Sequence, residues 1–167
     1  PSGAGVTASA NQNPDLFWAL KGGGGGNFGV TTALTFATFP TSDVDAVSLH
    51  FPLEAFPQVL VGWQTWLRSA DRSSWALADT ITDPGGAHCR ILATSPAGSG
   101  DTVSAAVSKA VGLQPMTVEK HTFNYLDLVQ YLAVNNLNPS PLGYVGGSDV
   151  FPSITPAAAQ GIAAAFH

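Results

Sequence analysis

Five consecutive glycines, Gly22–Gly26, are the feature that most constrains the fold of this chain, because of the sequence patterns on either side of them. Before them, 14–20 has the marks of a short helix, with Asn13 as its N-cap, proline at the first helical position and Asp15 in the first turn. After them, 28–39 alternates β-branched, aromatic and small residues, which is typical of a strand. The sequence therefore predicts a helix, a glycine turn and a strand.

Three interpretations of the glycine tract compete. A flexible linker is the simplest by composition, although Trp18 and Phe28 stand close on either side. Gly24, Gly26 and Gly29 spell the dinucleotide fingerprint G-x-G-x-x-G, but that motif must follow a strand and open a helix, and here the order is reversed. A P-loop fails because no Gly-Lys-Ser/Thr closes the tract. The third interpretation is a turn whose bare backbone approaches a ligand or forms an anion-binding nest.

Downstream of Pro40–Asp43, a predicted domain boundary, strand and helix patterns follow one another. The order is strand, helix, strand, strand, helix, strand, over 46–51, 53–70, 75–82, 89–96, 100–112 and 116–123. This is the ferredoxin-like split βαβ order, which predicts an α+β fold with an antiparallel sheet and helices on one face. Outside this unit, strands are predicted over 3–10 and 142–151 and helices over 124–134 and 155–166.

Composition restricts the partners of the chain. The net charge is −5 and the six Lys and Arg are scattered, so no basic patch for nucleic acid is expected. No apolar run reaches the roughly 18 residues of a membrane span. The single cysteine, Cys89, falls on a predicted strand and is interpreted as a packed thiol. The spacing of the four His and one Cys matches no metal motif, so a metal site is not expected.

The segment NPDLFWALKGGGGGNFGV, Asn13–Val30, resembles a signature of the FAD-linked oxidases related to berberine bridge enzyme, in the vanillyl-alcohol oxidase superfamily. In that family the signature closes the FAD-binding domain just before the substrate domain. The resemblance implies that residues 1–40 end a PCMH-type FAD-binding domain and that 41–167 form a substrate domain, incomplete at its C-terminus. It also implies that the N-terminal FAD-binding portion of the same protein is a partner, and that this chain alone does not hold FAD tightly.

The resemblance further implies an activity. In such oxidases a hydride passes from an alcohol, sugar or amine substrate to flavin N5, and O₂ or another acceptor reoxidises the flavin. The residues implied to contact FAD are Gly25, Gly26, Asn27, Phe28, Gly29 and Val30. The alternative is a non-catalytic α+β module that binds a small ligand or a protein. Asn13–Val30 discriminates between the two, because a binding module has no need of that unit.

Catalytic residues are harder to assign from the sequence. A substrate-domain sheet would project alternate side chains into the cavity, and Tyr144, His121 and Tyr125 are the polar aromatic candidates to orient a substrate hydroxyl or accept a proton. For each, a half-buried structural role is the alternative. His50, near a strand end, and His88, in a turn, are predicted to be solvated. Substrate identity, electron acceptor, mode of FAD attachment, oligomeric state and localisation stay open.

Overall fold

The computed structural model describes residues 3–136, 150 and 152–165, and contacts divide the chain into two units, Pro1–Phe39 and Pro40–His167. The first unit contains helix α1, Pro14–Leu20, which begins at the proline and carries Asp15 in its first turn, as predicted. The predicted N-cap is wrong. Asn13 adopts a left-handed conformation with a φ of 50°, and its Nδ2 donates to the carbonyl of Thr7 at 2.7 Å instead of accepting from the helix.

Two predicted strands of the first unit do not form. Segment 3–10 contributes only to an isolated bridge between Ser9 and Gln12, and 29–43 has no regular secondary structure. A strand is stable only when its N–H and C=O groups pair with a neighbouring strand, and no described segment of this unit runs beside 28–39. The large side chains of that segment are consequently exposed, with 91% exposure at Val30 and 74% at Phe36.

The second unit is built on a four-stranded antiparallel sheet with the order β2-β3-β1-β4. Its strands are β1, Val44–Pro52; β2, Trp75–Asp83; β3, Gly86–Pro96; and β4, Thr117–Phe123. Its helices are α2, Phe56–Leu67, after a 3₁₀ turn at Leu53–Ala55; α3, Gly100–Val111; α4, Tyr125–Asn136; and α5, Pro156–Ala164. The α+β class, the antiparallel sheet and the split βαβ order agree with the sequence prediction.

Local signals explain where these elements start and stop. Gly112 ends α3 in the left-handed conformation, with a φ of 72°. Thr155 caps α5, because its side chain accepts the N–H of Ala158 at 3.1 Å. Between β2 and β3, Asp83 accepts the N–H of Gly85 at 2.7 Å, which fixes the turn of this hairpin.

The core lies between one face of the sheet and helices α2, α3 and α5. Alternate residues of β1, namely Val47, Leu49 and Phe51, are fully buried there. Helices α2 and α3 approach closely at Gly62, where an added Cβ would overlap the backbone of Val111. Glycine is therefore required at this helix crossing.

Helix α4 corrects the expectation that all helices lie on one face. His121 and Phe123 of β4 stand opposite Ala46 and Val44 of β1, on the face that α2 and α3 leave free. The ring of Tyr131, in α4, lies 5.9 Å from that of His121 and 4.8 Å from that of Phe123. The two β4 rings give α4 an aromatic surface to pack against, so it covers this face at its β4 edge.

Some predictions fall on residues that the structure does not describe. These include Tyr144 and nearly all of the predicted strand 142–151. No helix within the described residues combines the length and hydrophobicity that crossing a membrane requires.

Candidate functional site

The glycine tract forms a closed turn directly after α1. The N–H of Gly23 donates to the carbonyl of Ala19 at 2.9 Å, and Nδ2 of Asn27 donates back to the carbonyl of Gly23 at 2.7 Å. The ring of Phe28 packs onto Gly23 so closely that a Cβ there would overlap both the ring and the Ala19 carbonyl. Asn27 and Phe28 therefore hold the turn together, and Gly23 is the residue that lets the ring approach.

The other glycines give the turn its shape and leave one side open. Gly22, Gly24, Gly26 and Gly29 have φ values of 125°, 86°, 78° and 131°, a region that residues with a Cβ rarely adopt. A Cβ at Gly25 or Gly26 would meet nothing within 4 Å. Among the described residues, the N–H groups of Gly24, Gly25 and Gly26 enter no hydrogen bond. A run of free N–H groups is suited to an anionic group such as a phosphate.

A second candidate site lies on the sheet face opposite α2 and α3, which we call the polar face. Strand register places Asp79, Arg90, His50 and Thr117 in one row across it, and Glu119 in the next row. Arg90 donates to Asp79 through Nε at 3.1 Å and Nη2 at 2.6 Å, while its side chain is only 6% exposed. A buried guanidinium in a bidentate ion pair is held rigidly in place.

Two histidines stand beside this ion pair. The rings of His50 and His88 have centroids 5.0 Å apart, and the Nε2 atom of each is buried without a hydrogen-bond partner. Burial lowers the pKa of His50, the charges of His88 and Arg90 act in the same direction, and Glu119 opposes them. The prediction that His50 and His88 are solvated is wrong, because His50 lies in β1 and His88 in β3, both half-buried.

The sequence candidates for catalysis are only partly brought together. His121 lies on the polar face and contacts Tyr131, whereas Tyr125, at the start of α4, is exposed. Sequence reasoning missed Arg90 and Tyr131. The alternation of β3 carried a signal for Arg90, since a charged residue within the buried run of that strand requires an ion-pair partner.

Cys89 is confirmed as a packed thiol. Burial raises its pKa to about 11, and its Sγ lies 3.2 Å from the carbonyl of Pro52, to which it donates weakly. Within 3–136 and 152–165, no three His, Cys, Asp or Glu side chains come together in a way that could hold a metal ion.

No protein-family model matches the chain. An uncharacterized FAD-linked oxidoreductase, YgaK of Bacillus subtilis, is 44% identical over 66 residues, which is 40% of this chain and 15% of that protein. The FAD-linked oxidoreductase patO of Penicillium expansum is 61% identical over 46 residues, 28% of this chain and 8% of that protein. For easE of Arthroderma benhamiae the identity is 52% over 58 residues, 35% of this chain and 11% of that protein.

Among solved structures, a carbohydrate oxidase of Microdochium nivale, in complex with a substrate analogue, covers 75% of this chain. The identity is 22%, the TM-score is 0.48, and 27% of the oxidase is covered. The chain thus spans only a small part of each of these relatives, between 8% and 15% of the three curated ones. Over the stretches that match, the chain is a relative of the FAD-linked oxidoreductases.

Proposed function

We propose that this chain is part of an FAD-dependent oxidoreductase that transfers a hydride from an alcohol, sugar or amine to flavin N5, with O₂ or another acceptor reoxidising the flavin. The observation that carries the proposal is the glycine turn, whose free N–H groups and open side lie in a chain related to FAD-linked oxidoreductases. FAD, when bound, supplies the two-electron acceptor.

The turn fits such a cofactor through its backbone. The residues that would contact it are Gly25, Gly26, Asn27, Phe28, Gly29 and Val30. Three N–H groups are free to donate, and the absence of a Cβ at Gly25 and Gly26 leaves room for a ligand. Asn27 and Phe28 have a second role beside this contact, since their side chains close the turn on Gly23. Their role is to hold the N–H groups in place.

The proposal assigns residues 1–40 to the end of a PCMH-type FAD-binding domain and 41–167 to a substrate domain. Segment 28–39 supports this assignment, since it has the alternation of a strand, carries no charged residue and leaves Val30 and Phe36 exposed. Such a segment requires a strand partner, which the preceding portion of the longer protein would supply. Without that portion, this chain is not expected to hold FAD tightly.

In this proposal the polar face of the sheet is the surface that meets the substrate. It carries His121, a candidate to orient a substrate hydroxyl or accept its proton, together with the fixed Arg90–Asp79 pair. The opposite face is filled by the core and offers no comparable set of polar groups to a ligand.

A visible absorption spectrum tests the proposal. The full-length protein that contains this chain should show a flavin spectrum, and the 167-residue chain should show none or far less. In the full-length protein, Gly26→Val should reduce flavin content, because valine is strained at a φ of 78°. Gly161→Val, in α5, is the control, since it lies in the second unit and its φ is not left-handed. Colour that stays in the acid precipitate would show covalent attachment.

A full-length protein that is colourless and does not bind added FAD would contradict the proposal of an oxidase. The non-catalytic binding module would then be the better hypothesis. The polar face independently supports a binding module, because the unpaired nitrogens of His50 and His88 are features of a ligand site with or without a flavin.

A further inference from the structure

We propose that His50 and His88 form a binding site for one hydroxyl group on the polar face of the sheet. The site is defined by the chain's own contacts. That the hydroxyl belongs to an alcohol or sugar substrate of an oxidase is the one step that rests on the function proposed above.

The two unpaired nitrogens are the first reason for a ligand here. In folded proteins nearly all buried polar atoms have a hydrogen-bond partner, and unpaired ones are concentrated where a ligand, water or ion completes the site. His50 Nε2 and His88 Nε2 are both buried and unpaired, and the rings that carry them are neighbours. Two such atoms on neighbouring rings can be satisfied by one shared partner.

The surroundings of His88 decide what its Nε2 can do. Its Nδ1 lies 3.9 Å from Oδ2 of Asp83, while Oδ1 of the same carboxylate is held by the N–H of Gly85 at 2.7 Å. A carboxylate facing Nδ1 favours the tautomer with the proton on that nitrogen. His88 Nε2 then carries a lone pair and needs a donor.

His50 supplies the complementary group. Its burial disfavours the charged imidazolium, so it offers one donor and one acceptor nitrogen, and its Nε2–H tautomer supplies a donor beside the His88 acceptor. A hydroxyl oxygen that reaches both Nε2 atoms would accept from His50 and donate to His88. The ring centroids lie 5.0 Å apart, so the two Nε2 atoms belong to neighbouring rings.

The charges around the pair select against other ligands. The carboxylates of Asp79, Asp83 and Glu119 outnumber the guanidinium of Arg90, which Asp79 already neutralises, so an anion is repelled. An ammonium ion would be attracted by these carboxylates, but it has no lone pair to accept from His50. A hydroxyl, which displaces water from the same place, satisfies both nitrogens.

Nitrogen-15 NMR of the labelled chain tests the site directly. The imidazole spectra should show His88 as the Nδ1–H tautomer. Xylitol should then shift the Nε2 resonances of both histidines in a saturable way, whereas n-butylamine and acetate at equal concentration should not. His88→Gln and His50→Gln should each weaken xylitol binding about tenfold, the usual cost of losing one buried hydrogen bond. Lys109→Gln, exposed in the last turn of α3 and so on the other side of the sheet, is the control and should leave binding unchanged.

Asp83→Asn keeps both rings and should move the His88 proton toward Nε2, with a matching loss of xylitol binding. This variant tests the proposal even if either glutamine variant does not fold. A response to butylamine alone, no response to any probe, or a His88 already in the Nε2–H tautomer would each overturn the proposal. Flavin plays no part in this measurement. A full-length protein with a flavin spectrum but no xylitol response would therefore overturn the hydroxyl site alone. A xylitol response in a protein without flavin would overturn the oxidase alone.

Discussion

The two units of this chain use similar sequence patterns with opposite results. In Pro40–His167, strand β1 alternates, pairs with neighbours on both sides and buries Val47, Leu49 and Phe51. In Pro1–Phe39, the segment 28–39 alternates just as clearly and remains an unpaired, exposed stretch. Alternation in a sequence therefore shows that a strand can form, while the presence of a partner within the same piece of chain decides whether it does.

The largest expected difference comes from one aromatic deletion in each unit. Phe51→Ala should lower the free energy of unfolding by about 3–5 kcal/mol, because it empties a fully buried core position. Phe36→Ala should change it by less than about 0.5 kcal/mol, since that ring is exposed. Urea titration followed by circular dichroism measures both. A cost of 2 kcal/mol or more for Phe36→Ala would show that the first unit packs in solution and would break the comparison.

A second pair of substitutions tests close approach inside the second unit alone. Gly62→Ala should destabilise by about 1–3 kcal/mol, because the added Cβ overlaps the backbone of Val111 where α2 meets α3. Gly161→Ala, in α5, should instead stabilise slightly, by about 0.5 kcal/mol, since a Cβ there meets nothing within 4 Å and alanine is the better helix former. The same urea titration is used. Equal effects at the two glycines would mean that the α2–α3 crossing is looser than the structure shows.

Local signals and strand order explain which parts were predictable. The Asp83 turn, the Gly112 helix end and the Thr155 cap each depend on a few adjacent residues, so a sequence encodes such features locally. The strands at 3–10 and 28–39 were predicted wrongly because pairing depends on distant chain. His50 and His88 were predicted wrongly because their proximity arises from the register of β1 against β3, which no local pattern encodes.

The next prediction concerns acid and a single carboxylate of the second unit. Asp45 is 3% exposed and accepts from the Thr122 hydroxyl at 2.7 Å and from the N–H groups of Gly100 and Gly98 at 2.8 and 2.9 Å. The Thr122 bond lowers the pKa of Asp45 below its usual 3.8, aided by both N–H groups and by the charge of Lys120, while burial opposes them. The carboxylate therefore stabilises the fold above pH 3.8, and that contribution is lost as pH falls through the lowered folded value.

Asp45→Asn should cost about 2 kcal/mol at neutral pH, since the amide cannot accept all of these bonds, and should flatten the acid limb of the stability curve. Asp43→Asn, two residues earlier and exposed, is the control and should leave both unchanged within about 0.5 kcal/mol. Thermal melts between pH 2 and 7 measure the effect. An acid limb that is identical in the Asp45→Asn variant and the parent would assign the acid sensitivity to other groups.

The smallest effect lies in the first unit and asks whether its turn has a stability of its own. Gly26→Ala should strain the turn by about 1 kcal/mol, because a φ of 78° is left-handed, and this should speed exchange of the Gly23 amide, bonded to Ala19, about fivefold. Gly25→Ala, with no left-handed φ and open space around its Cβ, should change that rate little. Neither should shift the urea midpoint of the second unit. If Gly26→Ala did shift it, the stabilities of the two units would be coupled.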